Sequence, residues 1–151
     1  MRIIRAEKSD MKEILALQYA AYQSEAKLVN DFSIPPLKQT YDEIISEYEN
    51  GVILKSIGET GEIIGSVRAY KDNETVYIGK LIVKPELQGR GTGTKLLFAI
   101  EEECPSLRYE LFTSDKSIRN IKLYERVGYV KFKEEAVNEN LTFVYMEKYK
   151  K

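Results

Sequence analysis

Histidine and tryptophan are both missing from this 151-residue chain, and cysteine occurs once, at Cys104. Without imidazole there is no Ser-His-Asp or Cys-His catalysis, no histidine-bound metal and no histidine general base. A single thiol excludes an internal disulfide and any multi-cysteine zinc or iron–sulfur site, so no metal is expected. Apolar runs are short. None approaches the ~18–20 residues of a membrane span, and Met1-Arg2-Ile3-Ile4-Arg5 turns polar too early for a signal-peptide core. A cytoplasmic location without a membrane partner is the expectation. Basic and acidic residues number 23 and 24, so no excess of either sign draws the chain to nucleic acid. Any chemistry must therefore use carboxylates, tyrosine, lysine, main-chain amides or a cosubstrate.

What is present is an ordinary globular mixture, 43% hydrophobic and 31% charged. Its length suits one domain over residues 1–151. Ile3-Ile4 opens with a short strand. Asp10 and Glu13 have capping-box spacing ahead of a helix through Ile14, Leu15, Leu17 and Ala21, fading near Ala26. The prolines of Asp31-Phe32-Ser33-Ile34-Pro35-Pro36 predict irregular backbone. Thr40 and Glu43 repeat the capping box before a second helix that stops at Gly51. β-rich runs at Val52–Ile57 and Glu62–Tyr70 flank a Gly58–Gly61 turn, and another strand covers Val76–Val83. A helix from about Gly91 to Glu103, a strand at Tyr109–Thr113, a helix at Ile118–Val127 and strands at Tyr129–Val137 and Leu141–Tyr149 complete a mixed α/β chain.

Chemistry is concentrated between Val76 and Tyr129. The strand ending at Pro85 runs into Gln88-Gly89-Arg90-Gly91-Thr92-Gly93-Thr94-Lys95. Glycines there let a ligand approach the backbone, and the first amides of the following helix have no intrahelical acceptor. With the helix dipole they favour an anion such as phosphate. Arg90 and Lys95 add positive charge, and no acid interrupts the turn. A P-loop would need glycine directly before Lys95, and a dinucleotide fingerprint would need glycine where Thr94 stands. Both nucleotide motifs fail. A tight strand-to-helix turn without a ligand is the bland alternative. Glu101-Glu102-Glu103, at the unfavourable end of the helix dipole, read as solvated acids, and Cys104 beside Pro105 reads as packing.

The pattern Gln88-x-x-Gly91-x-Gly93 resembles the pyrophosphate-binding signature of the GCN5-related N-acetyltransferase (GNAT) superfamily. Leu123-Tyr124-Glu125-Arg126-Val127-Gly128-Tyr129, about thirty residues on, resembles its Leu-Tyr-x-x-x-Gly-Phe/Tyr segment. The resemblance implies a GNAT-like fold of about seven strands and four helices, with a β-bulge splaying the central strands into an acyl-CoA cleft. It implies acetyl-CoA as cosubstrate and direct attack on the thioester by a primary amine. Pantetheine would meet the backbone of Leu81, Ile82 and Val83, one of whose amides would polarise the thioester carbonyl. Pyrophosphate would lie on Gln88, Gly89, Arg90, Gly91, Thr92, Gly93 and Thr94. Tyr124 would protonate the departing thiolate as general acid, a role a phenol can fill near neutrality.

Two positions depart from the family pattern. Its usual pantetheine-binding asparagine falls at Ser117, and Asn120, one turn before Tyr124, is the other candidate. The strand position where relatives carry a glutamate base falls at Tyr77 or Gly79. Glu25 and Glu110 are the alternative carboxylates. Glu25, Tyr77 and Glu110 are thus the substrate-side candidates. The amine-pocket region holds Tyr19, Tyr22, Glu25, Asp31, Tyr41, Glu43 and Glu47, which would favour a cationic small-molecule or peptide amine if those acids face it. A non-catalytic acyl-CoA sensor of the same fold is the competing reading. The last strands suit edge pairing into a homodimer.

Overall fold

The computed structural model describes residues 1–150. Its strands are β1 (Arg2–Arg5), β2 (Val52–Ile57), β3 (Ile63–Asp72), β4 (Thr75–Val83), β5 (Arg108–Ser114), β6 (Val130–Asn138) and β7 (Leu141–Tyr149). They form one sheet in the order β1-β2-β3-β4-β5-β7-β6. Every neighbouring pair is antiparallel except β4 and β5, which a helical crossover joins in parallel. The helices are α1 (Met11–Ala21), α2 (Gln23–Val29), α3 (Pro35–Lys38), α4 (Tyr41–Asn50), α5 (Thr92–Glu103) and α6 (Ile118–Val127). The mixed α/β architecture is the one expected.

The N-terminal third departs locally from the expectation. The first helix breaks at Tyr22 into α1 and α2. The proline segment supplies a single helical turn, because Pro35 and Pro36 fall in the first turn, where an amide has no intrahelical acceptor to lose. The Asp10–Glu13 box does not form. Asp10 instead accepts from the Glu7 amide at 2.7 Å and from Lys55 Nζ at 2.7 Å, and Glu13 accepts from the Ile63 amide at 3.0 Å. The Thr40–Glu43 box does form, with reciprocal bonds of 2.8 and 3.2 Å.

The sheet buries both faces over β2–β4. On one side Leu54, Val67, Val76 and Ile78 pack beneath α5 and α6 with Leu96 and Tyr124. On the other, Ile53, Ile63 and Ile82 pack beneath α1 and α4. Ile78 and Ile82 belong to opposite faces although residues four apart on a strand normally share one. The cause is a β-bulge. Arg68 pairs with Gly79 and Ser66 with Ile82, so two steps along β3 match three along β4. Lys80 absorbs the extra residue with φ of 51°, a left-handed conformation costing a non-glycine residue about 1–2 kcal/mol. β4 parts from β5 just ahead of the bulge. Pairing stops at Tyr77–Glu110, while the strands continue to Val83 and Ser114. The slot in the sheet therefore lies alongside the inserted residue, where bulged strands bend and twist more strongly.

Candidate active site

At the open end of β4 the chain makes a 3-10 turn over Pro85–Leu87 and then reverses through Gly89 (φ 81°) and Gly91 (φ 84°) into α5. Gln88 holds the loop: its amide nitrogen donates to the Val83 carbonyl at 3.2 Å, and its oxygen accepts from Arg119 at 3.3 Å. Among the described residues no protein group accepts from the amides of Gly89 through Thr94. α5 has no side-chain cap and no acid in its first turn. An added Cβ at Gly91 would meet open space, so its positive φ demands glycine there, whereas a Cβ at Gly93 would lie 3.2 Å from Leu123 Cδ1. Gly91 thus shapes the loop and Gly93 lets α5 approach α6. Arg90 and Lys95 are exposed beside these amides. Arg119 joins them, and sequence spacing gave no sign of it.

Tyr124 projects from α6 into the core cluster that contains Ile78 and Leu111, the residues just past the last β4–β5 pair. The left-handed Gly128 (φ 110°) ends α6 as expected, with the Tyr129 amide returning to the Tyr124 carbonyl at 3.0 Å. Burial, reinforced by Tyr22 and Glu25, pushes the Tyr124 phenol well above its ordinary value. It stays protonated near neutrality.

Glu25, Ser117 and Asn120 meet beside it. Glu25 of α2 accepts from the Ser117 hydroxyl and from the Asn120 amide at 3.2 Å, and Asn120 also reaches Thr113 at 3.4 Å. Ser117, the N-cap residue of α6, and Asn120 are thus both tied across to α2. Leu81, Ile82 and Val83 lie past the bulge on the edge freed from β5, with the Ile82 side chain buried.

Tyr77 and Glu110 lie elsewhere. They are register partners, and they line a cavity of about 500 Å³ on the α4 side of the sheet. Tyr70 stacks on Tyr77 with ring centroids 5.2 Å apart, and Phe112 and Tyr145 form a second aromatic wall at 5.3 Å. Arg68, Lys80 and Glu47 supply its other charges. Glu47 bonds Arg68 at 2.7 Å, and Glu110 bonds Arg108 at 2.8 Å. Of the expected amine-pocket acids only Glu47 reaches this cavity; Asp31 is spent on the Ser33 amide at 2.8 Å. The missed residue with a sequence signal is Arg68, a charge within the apolar run of β3, where only a buried partner could keep it. The acidic cluster also differs from expectation: Glu101 is buried rather than solvated, and Glu103 pairs with Arg5 at 3.1 Å. Cys104 is half-buried and its thiol pushed up by burial, consistent with packing and not with acyl carriage.

Amides without protein acceptors at a helix start thus lie beside the point where two neighbouring strands of the sheet separate. The chain belongs to the GNAT acetyltransferases: the family described as acetyltransferase (GNAT) domain matches residues 20–150. The chain is similar to UPF0157 protein YqkA of Bacillus subtilis (strain 168), 27% identical over 121 residues, 80% of this chain and 34% of that protein. It thus spans about a third of the length of that curated relative. Its fold matches the ribosomal-protein-S18-alanine N-acetyltransferase of Escherichia coli with a TM-score of 0.81, at 15% identity, covering 98% of this chain and 92% of that one. It also matches YncA of Salmonella typhimurium, a structure containing acetyl-CoA, with a TM-score of 0.77, at 19% identity, covering 99% and 93%. No helix among the described residues is long and apolar enough to cross a membrane.

Proposed function

We propose that the chain transfers the acetyl group of acetyl-CoA to a primary amine by direct attack, without an acyl-enzyme. The observation that carries this reading is the row of unspent amides from Gly89 to Thr94 at the end of a strand released from its neighbour. These amides, with Arg90, Lys95 and Arg119 nearby, hold the pyrophosphate. The freed edge at Leu81–Val83 pairs with pantetheine, and an amide of that edge polarises the thioester carbonyl. As the amine nitrogen bonds to the acyl carbon, the carbon–sulfur bond breaks and Tyr124 gives its proton to the sulfur. The proton that the nitrogen sheds passes to solvent, from which Tyr124 is reprotonated. Glu110 is held by Arg108, whereas Glu25 lies beside Tyr124, so Glu25 is the better placed of the two carboxylates to manage protons. A buried phenol in this position favours turnover over an acyl-CoA sensor, which has no use for a donor there. Strand β6, exposed along its whole length, is the edge on which a second copy would pair.

Thiol release from acetyl-CoA across a panel of amines tests the reading; CoA binding with no turnover on any amine would establish the sensor instead. Gly91→Val forces a β-branched residue into left-handed backbone and is expected to weaken CoA binding about tenfold by titration calorimetry, with the thermal midpoint lowered by only a few degrees. An unaltered affinity would remove the loop from the site. The pH profile gives a second check. Because burial raises the Tyr124 phenol above its ordinary value of 10.0, the acid form persists. The plateau of kcat should therefore continue on the alkaline side to about pH 10. A falling limb between about pH 8 and 9 that disappears in Tyr124→Phe would contradict the raised phenol.

A further inference from the structure

We propose that Lys80 is a carboxylate-binding subsite in the cavity beside β4, so that the acceptor is a small amine bearing both a carboxylate and an apolar or aromatic body. The proposal rests on the acetyl-transfer reading and narrows its acceptor to amino-acid-like molecules.

The bulge is the first reason. It puts Tyr77 and Lys80, three apart on one strand, into the same cavity, where regular alternation would send them to opposite faces. Lys80 adopts its left-handed conformation at this point, and the neighbouring Gly79 leaves open space where a Cβ would stand. The backbone irregularity beside the cosubstrate slot thus also aims a cation at the other side of the same strand.

Charge is the second reason. Four charged side chains line the cavity: Glu47, Arg68, Lys80 and Glu110. Glu47 takes Arg68, and Glu110 takes Arg108, which also holds Glu147 at 2.9 Å. Arg68 is buried, and its terminal nitrogens are occupied by Gln18, Gln39 and Glu47. Lys80 makes no ion pair and no hydrogen bond through Nζ among the described residues. Burial disfavours its charge most; Glu47 supports it, Arg68 opposes it and Glu43 adds lesser support, and the net effect is to lower its affinity for the proton. A carboxylate on Nζ would supply the missing counter-charge in a partly dry setting, where such a bond is strong. A polyamine would find both acids already neutralised. This reverses the cationic preference expected from the acid-rich N-terminal region.

Shape agrees. The cavity of about 500 Å³ lies within the usual range of small-ligand sites. Its walls of Tyr70, Tyr77, Phe112 and Tyr145 suit an apolar body. A carboxylate on Lys80 keeps an α-amine one carbon away from it, at the point where β4 leaves β5 and the thioester would lie.

The experiment separates the subsite from the chemistry. 3-Phenylpropanoate has the carboxylate and body but no nucleophile. By calorimetry it should bind the wild-type chain, with affinity reduced at least tenfold in Lys80→Met and retained within threefold in Lys80→Arg. In the transferase assay L-phenylalanine should exceed L-phenylalaninamide and phenethylamine by about 100-fold in kcat/KM, with that ratio falling below about fivefold in Lys80→Met. Equal turnover of the acid and its amide, or 3-phenylpropanoate binding unaffected by Lys80→Met, overturns the subsite and leaves acetyl transfer standing. Lys80-dependent carboxylate binding with no amine acetylated keeps the subsite and overturns the transfer reading.

Discussion

Tyr124→Phe is expected to lower kcat about 100- to 1000-fold while changing CoA affinity less than twofold. The variant isolates one proton. The Tyr124 ring is 7% exposed and packs against Tyr129 with centroids 6.2 Å apart, contacts that phenylalanine keeps. The hydroxyl makes no hydrogen bond within the protein and is not sealed from solvent. Its removal therefore orphans no buried donor or acceptor, and stability should change by less than about 0.5 kcal/mol. On the proposed mechanism, what is lost is the donor for the departing thiolate, in a chain with no imidazole to replace it. Steady-state kinetics with direct thiol detection, run beside a CoA titration, decides the matter. If kcat keeps more than about a third of its value, Tyr124 is a packing residue and the proton comes from solvent.

How far the sequence reaches can be judged from individual residues. The strand at Val52–Ile57, the helix at Ile118–Val127 and the strand at Leu141–Tyr149 have the boundaries that periodicity and Gly128 predict. The glycine turn is legible because its signal is local: spacing, missing acids and a following amphipathic helix all fall within one short segment. Lys80 is not legible as a bulge, since left-handed backbone at a lysine follows from the register between β3 and β4 and leaves no mark in composition. Glu25 meeting Ser117 and Asn120, or Arg68 meeting Gln18 and Glu47, depends on helices far apart in the chain docking on one sheet. The resemblance groups Tyr77 and Glu110 with Glu25 as substrate-side candidates. The sheet separates them, because β4 and β5 turn Tyr77 and Glu110 toward α4 while Glu25 reaches α6.

Glu101→Ala should be a strongly destabilising change at a distance from the β4–β5 slot. Glu101 is 2% exposed at the last turn of α5. Its two oxygens accept from the Tyr129 hydroxyl at 2.7 Å and from Lys148 Nζ at 2.8 Å. One carboxylate thus ties α5 to Tyr129, just after the cap of α6, and to β7. Alanine leaves a cavity, a buried phenol without its acceptor and a largely covered ammonium without its counter-charge. Together these should cost about 3 kcal/mol, or roughly 6–12 °C in Tm for a domain of this size. Glu101→Gln retains an acceptor for Tyr129 and should lose about half as much. The double variant Glu101→Ala with Lys148→Met removes the stranded charge and should recover at least ~1 kcal/mol, a coupling that independent sites would not show. CoA affinity should stay within twofold throughout, because the unpaired amides belong to the opposite end of α5. A Tm loss below about 2 °C would mean that the pair's attraction barely exceeds its desolvation cost, and that apolar packing alone anchors the helix.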